Sequence, residues 1–125
     1  MNSMRLKRLI PMLPVQSMPL SVEFYQKMLG FSVEERNDSW GWAMLNLSEC
    51  RLMVDQSLNV RPDAPRQAIV YLYPDDVVQY HAQVRRNGLP VPDLQVTFYG
   101  MKEFRIKDPD GNELWIGQDI PASDS

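Results

Sequence analysis

The chain reads as an α+β protein. Two successive β-α-β-β-β modules form a curved mixed sheet, a cup, with the helices on its outer face. Three observations lead there. Short apolar or alternating runs of strand length recur along the chain, whereas helical spacing of apolar residues occurs only twice. Each helical stretch directly follows the first strand of its half and precedes a series of antiparallel-type strands. The element order of the first half then returns in the second after roughly 55 residues, although the residues themselves repeat only weakly.

The elements follow in order. Residues 6–15 are apolar and carry Pro11 and Pro14, as suits a first strand at a sheet edge or with a bulge. Ser17 or Pro19 opens a helix to Leu29, with Leu20, Phe24, Met28 and Leu29 at helical spacing and Gly30 as its C-terminal stop. Strands are expected at Phe31–Arg36, Trp40–Leu47 and Cys50–Val54, with turns at Asn37-Asp38-Ser39 and Ser48-Glu49. Residues 57–66, polar with Pro62 and Pro65, form a linker.

In the second half Ala68–Tyr73 alternates as a strand. Asp75 or Asp76 caps a helix to Asn87, with Val77, Tyr80, His81 and Val84 on one face, and Gly88 stops it. Strands follow at Leu94–Tyr99, Lys102–Lys107 and Glu113–Gly117. The last two flank Asp108-Pro109-Asp110-Gly111-Asn112, where proline presets φ, Asp108 caps the backbone and Gly111 or Asn112 tolerates positive φ. Residues 120–125 read as a frayed end. The expectation is one domain over residues 1–125, its modules at about 6–56 and 67–118.

Composition narrows the function classes. A hydrophobic content of 44% against 23% charged residues is that of a globular chain. A net charge of −3 argues against a nucleic-acid partner, and no apolar run reaches membrane-spanning length. Arg5, Lys7 and Arg8 precede an apolar stretch in the manner of a secretory leader, but Pro11 and Pro14 interrupt it and no small-residue cleavage site follows. The single Cys50 excludes an internal disulfide and fits a reducing compartment; it is expected to be a small buried hydrophobe. A cytoplasmic protein is expected.

The segments Ser21-Val22-Glu23-Phe24-Tyr25 and Leu29-Gly30-Phe31-Ser32, with the closing Glu103-Phe104-Arg105-Ile106-Lys107-Asp108-Pro109-Asp110-Gly111-Asn112, resemble the vicinal-oxygen-chelate superfamily over roughly residues 8 to 118. That superfamily contains glyoxalase I, extradiol dioxygenases and the fosfomycin- and bleomycin-resistance proteins. The likeness implies the glyoxalase/bleomycin-resistance fold. Within the group the chain is most similar to bleomycin-resistance proteins, which implies a homodimer that sequesters a ligand without catalysis, often with halves exchanged between subunits.

In metal-dependent members of the superfamily, His, Glu or Gln converge from the first strand of each half, with a Glu from the last strand. Carried over by spacing, those positions fall on Pro11, on Ile69 (or, with a register shift, Gln67) and on Trp115. Proline, isoleucine and tryptophan do not supply the three or four N/O donors a divalent ion needs. His81, the one histidine, falls inside a helix and reads as a packing residue. Glu113, joined by Glu103, would hold Mg²⁺ or Ca²⁺ only weakly. No phosphate loop, Cys/His pair or nucleophile elbow is present. The sequence thus yields no catalytic residue, metal or cofactor.

Strand parity sorts core from cup. It sends Ala68, Val70, Leu72, Phe104, Ile106, Leu114 and Ile116 inward. The cup then receives Trp40, Trp42, Tyr71, Tyr73, Glu103, Arg105, Glu113 and Trp115, with Pro11, Leu13 and Val15 on the first strand, and Met44 or Met101 as adaptable lining. Rings with a few charges suit a small amphipathic, aromatic ligand. The carboxylates would meet a ligand amine; Arg105 would meet an anion or neutralise Glu103 or Glu113. β-Propensity alone also enriches aromatics on strands. Three functions therefore stand side by side: a metal-free small-molecule binder, a glyoxalase- or dioxygenase-like lyase or oxygenase with a degenerate site, and an interaction module whose cup is closed by its own side chains.

Overall fold

The computed structural model describes residues 4, 6–58 and 68–121. Helix α1 spans Met18–Leu29 and α2 spans Val77–Arg86; the strands are β1 (Met12–Pro14), β2 (Ser32–Asn37), β3 (Trp42–Leu47), β4 (Cys50–Asp55), β5 (Ile69–Leu72), β6 (Gln95–Val96), β7 (Met101–Lys107) and β8 (Glu113–Asp119). They form two four-stranded sheets of the same design, ordered β1-β4-β3-β2 and β5-β8-β7-β6. In each, the first strand runs parallel to the last and the other pairs are antiparallel. This is the α+β fold expected from the element order. The linker expected at 57–66, Gln67 and residues 122–125 lie wholly or mostly outside the described residues.

Local chemistry accounts for the boundaries. Ser17 caps α1 by accepting from the Leu20 amide at 3.3 Å, and Asp76 caps α2 by accepting from Gln79 at 3.1 Å. Gly30, at φ 88°, ends α1 in the left-handed region that side chains disfavour. The buried face of α1 is Met18, Ser21, Val22, Tyr25 and Leu29; Leu20, expected on that face, is mostly exposed. His81 packs as expected, its Nε2 2.7 Å from the Pro92 carbonyl and its ring edge-on to Phe104.

The first strand is shorter than residues 6–15 because its prolines lack amide donors. Pairing survives around them through Met53 N–H to the Pro11 carbonyl and Val15 N–H to the Asp55 carbonyl. Its parity is also the reverse of the expectation. Leu13 and Val15 are 5% and 0% exposed in the core, and Met12 faces outward. Both parities of this segment are apolar, so alternation carried no signal. Register decides: Leu13 pairs with Val54, itself fully buried. Burying the other set instead would forfeit about 1.5–3 kcal/mol for each core side chain exposed.

The Asp108–Asn112 turn is the clasp between the halves. The Asp108 carboxylate accepts from the Asp110 and Asn112 amides and from Asn112 Nδ2, and it also accepts the Tyr25 hydroxyl of α1 at 2.8 Å. Asp110 in turn accepts from the Gln16 amide and the Ser21 hydroxyl. Tyr25 is fully buried; that burial, with the Asp108 charge beside it, pushes its hydroxyl far above the usual tyrosine range. From the other side, the Tyr80 hydroxyl and Asn87 Nδ2 donate to the Leu29 and Met28 carbonyls that end α1. One continuous core runs from Leu13, Val22 and Val54 to Val84, Phe104 and Ile116.

Candidate functional site

The outward face of the second sheet is laid out by register. Tyr71 pairs with Trp115 and Trp115 with Arg105, so the three form one row. Ile69, Glu113 and Lys107 form the row on one side; Gly117, Glu103 and Gln95 form the row on the other. Parity turns Val70, Leu114, Ile116, Phe104 and Ile106 away, into the core.

Within this face the side chains lock together. The Tyr71 and Tyr73 rings stack at 4.7 Å, and Tyr71 meets the Trp115 ring edge-on at 6.1 Å. The Arg105 guanidinium lies 3.5 Å over the Trp115 ring centre, a cation–π contact. Glu103 sits at the centre. One of its oxygens accepts the Tyr71 hydroxyl at 2.5 Å; the other accepts the Tyr99 hydroxyl at 2.6 Å and Arg105 Nε at 3.0 Å. Arg105 Nη2 also donates to Tyr99 Oη at 3.0 Å.

Gly117 makes the arrangement possible. A Cβ there would lie 2.9 Å from both the Glu103 Cβ and the Tyr71 hydroxyl, closer than packed atoms approach. Desolvation pushes the Glu103 carboxyl up, but three hydrogen bonds and the Arg105 charge outweigh it, and its pKa falls below the ordinary value. Tyr71 is driven up, first by desolvation and then by its bond to that carboxylate.

The Glyoxalase/Bleomycin resistance protein/Dioxygenase superfamily matches residues 7–116. The chain belongs to that superfamily. Its fold is shared by a bleomycin resistance determinant encoded on the transposon Tn5, with 22% identity, 91% of this chain and 98% of the other covered, and a TM-score of 0.77. A bleomycin-binding protein complexed with bleomycin shares it at 22% identity, covering 91% and 99%, with a TM-score of 0.74. So does a lactoylglutathione lyase from Agrobacterium tumefaciens, at 18% identity, covering 91% and 95%, with a TM-score of 0.72. No curated protein matches the chain.

The superfamily's metal does not fit the side chains on this face. Among the described residues no three of His, Cys, Asp and Glu come together. Pro11 has the parity of Leu13 and Val15, which point into the core; the outward parity of that segment belongs to Met12 and, by counting back, to Ile10, which has no donor either. Ile69 is half exposed on the outward face. Trp115 carries a fixed positive charge on its ring, which repels a divalent cation.

Of the residues expected in the cup, Tyr71, Tyr73, Glu103, Arg105 and Trp115 form one connected cluster, and Glu113 stands beside it on β8. Trp42 and Met44 point outward on the other sheet, where Trp42 Nε1 donates to Met53 Sδ. Trp40 precedes β3, in the turn capped by Asn37, and is largely exposed. Among the described residues, no ring contact or hydrogen bond joins either tryptophan to the cluster.

Glu103 is the main correction. Expected to be open to a ligand amine, it is 3% exposed and occupied by three donors. Cys50, expected buried, is exposed at the Ser48-Glu49 turn. Tyr99 and Gly117 were missed. The sequence places Tyr99 in a strand at Leu94–Tyr99, but the β6–β7 ladder ends at Val96 and Thr97 turns the chain: its N–H donates to the Met101 carbonyl, its Oγ1 accepts from the Met101 amide and its carbonyl from Gly100. The sequence signal was Gly100, which adopts φ 81° between two strand-like runs.

Proposed function

We propose that this protein binds a small ring-bearing molecule on the outward face of its second sheet and acts by sequestration, without a metal. The observation that carries this reading is the continuous platform Tyr73–Tyr71–Trp115–Arg105. Three rings stand side by side, braced by a satisfied polar network, next to a cavity of about 390 Å³ bounded by Tyr99, Glu103 and Arg105. Rings held in fixed geometry offer stacking area at little entropic cost. The fold shared with a bleomycin-binding protein lends support.

The functional unit is a homodimer of single, two-module domains in the cytoplasm. The exposed Ile69, Val96 and Phe98 support burial against a second copy. Among the described residues no helix is long and apolar enough to cross a membrane.

Tryptophan fluorescence titrated with a panel of amphipathic aromatic compounds tests the proposal. Saturable quenching is expected with one chemical class. Trp115→Ala should weaken binding about 30-fold, as loss of a central aromatic anchor does. Stoichiometric, tight Co²⁺ or Ni²⁺ binding would instead identify a metal enzyme and overturn the reading.

A further inference from the structure

The polar groups left over at the centre of this face, around Trp115, are donors. Glu103 already accepts three hydrogen bonds and is closed to solvent. A guanidinium carries five N–H donors; hydrogen bonds to Glu103 and Tyr99 engage two of them, with Nη2 also 3.0 Å from the Glu103 carboxylate, which leaves at most three. The Arg105 side chain is 45% exposed and lines the cavity, so it is within reach of a ligand. The Trp115 Nε1–H, enclosed beside it, has no acceptor.

The neighbouring carboxylates lie outside this centre. Asp93, which lines the cavity, is paired with Arg85 at 2.9 Å, and Glu113 lies one row away, across the β7–β8 pair from Lys107. The cluster is therefore a set of donors, one of them a fixed cation, set in an aromatic wall. Resting on the binding function proposed above, we infer that the ligand is an aromatic anion. Its ring lies along Tyr73 and Tyr71, and its carboxylate or similar oxyanion receives the free fork of Arg105. A guanidinium held flat by Trp115 and Glu103 offers parallel N–H bonds to such a group without first being ordered.

The experiment uses three probes that share one ring system: 2-naphthoate, the neutral 2-naphthamide and the cationic 2-naphthylmethylammonium. Each is titrated into the intact protein by calorimetry and by tryptophan quenching. The naphthoate should bind at least about tenfold tighter than the amide, with the ammonium weakest. Arg105→Met should bring the naphthoate and the amide to equal affinity, whatever ring binding is lost with the guanidinium; Arg105→Lys, which keeps the charge without the fork, should retain part of the preference. Circular dichroism confirms that each variant is folded.

Equal or tighter binding of the amide or the ammonium would overturn the anion assignment and leave the binding function standing. A preference that survives in Arg105→Met would also overturn it, by placing the anion elsewhere. No binding of any probe would count against both.

Discussion

Gly117→Ala is the most informative single perturbation, because one added methyl group reports on the whole network. Its Cβ would stand 2.9 Å from the Glu103 Cβ, 2.9 Å from Tyr71 Oη and 3.2 Å from Met101 Cε. The Glu103 Cβ is tied to the β7 backbone and moves little. The Tyr71 hydroxyl is the tip of a side chain, so it moves, and its 2.5 Å bond to Glu103 breaks. Overpacking costs about 1–3 kcal/mol, and a hydrogen bond to a charged group contributes about 1.5–3 kcal/mol. The alanine recovers roughly 0.5–1 kcal/mol of backbone entropy.

The net expectation is a loss of about 1.5–5.5 kcal/mol, a melting temperature lower by roughly 6–22 °C for a domain of this size. Urea denaturation measures it directly. Repeating the substitution in a Tyr71→Phe background isolates the cause. With no hydroxyl to displace, the penalty should fall by at least about 1 kcal/mol. Equal penalties in the two backgrounds would refute the idea that Gly117 exists to let Tyr71 reach Glu103.

The clasp makes a separate prediction: Tyr25→Phe removes only the hydroxyl that meets Asp108, and should cost about 1.5–3 kcal/mol in chemical denaturation with little change in ligand binding. A cost below about 0.5 kcal/mol would mean that the turn is held by its own backbone bonds. Glu103 also predicts a pH dependence. Its folded pKa lies below its ordinary value of 4.5, so its contribution is complete above that pH and is lost as pH falls through the folded value. Glu103→Gln should therefore flatten part of the acid limb of the stability curve; identical limbs would assign acid sensitivity to other carboxylates.

Much of the fold was written in local patterns. Gly30, Ser17 and Asp76 mark helix ends because the chemistry of a helix terminus is local, and Asp108–Asn112 announces its hairpin through residues suited to a turn. Strand parity on β5, β7 and β8 placed Tyr71, Tyr73, Glu103, Arg105, Glu113 and Trp115 on one face, because there apolar and other residues alternate. On β1 the same logic failed, since Met12, Leu13, Pro14 and Val15 are all apolar and only pairing with β4 separates them.

The sequence by itself determined the order of elements, the face of each long strand and the lack of chelating side chains at the positions the superfamily uses. The tertiary structure alone decided which charge that face presents. Arg105, two residues from Glu103 on the same face of β7, is within reach of it from the sequence; Tyr71 comes from another strand and Tyr99 from the turn before β7, and only the tertiary fold, with the bare backbone of Gly117 beneath, brings both onto the same carboxylate. A hydrogen bond depends on where two atoms meet in space, so the two tyrosine hydroxyls that close Glu103 leave no trace in composition or spacing.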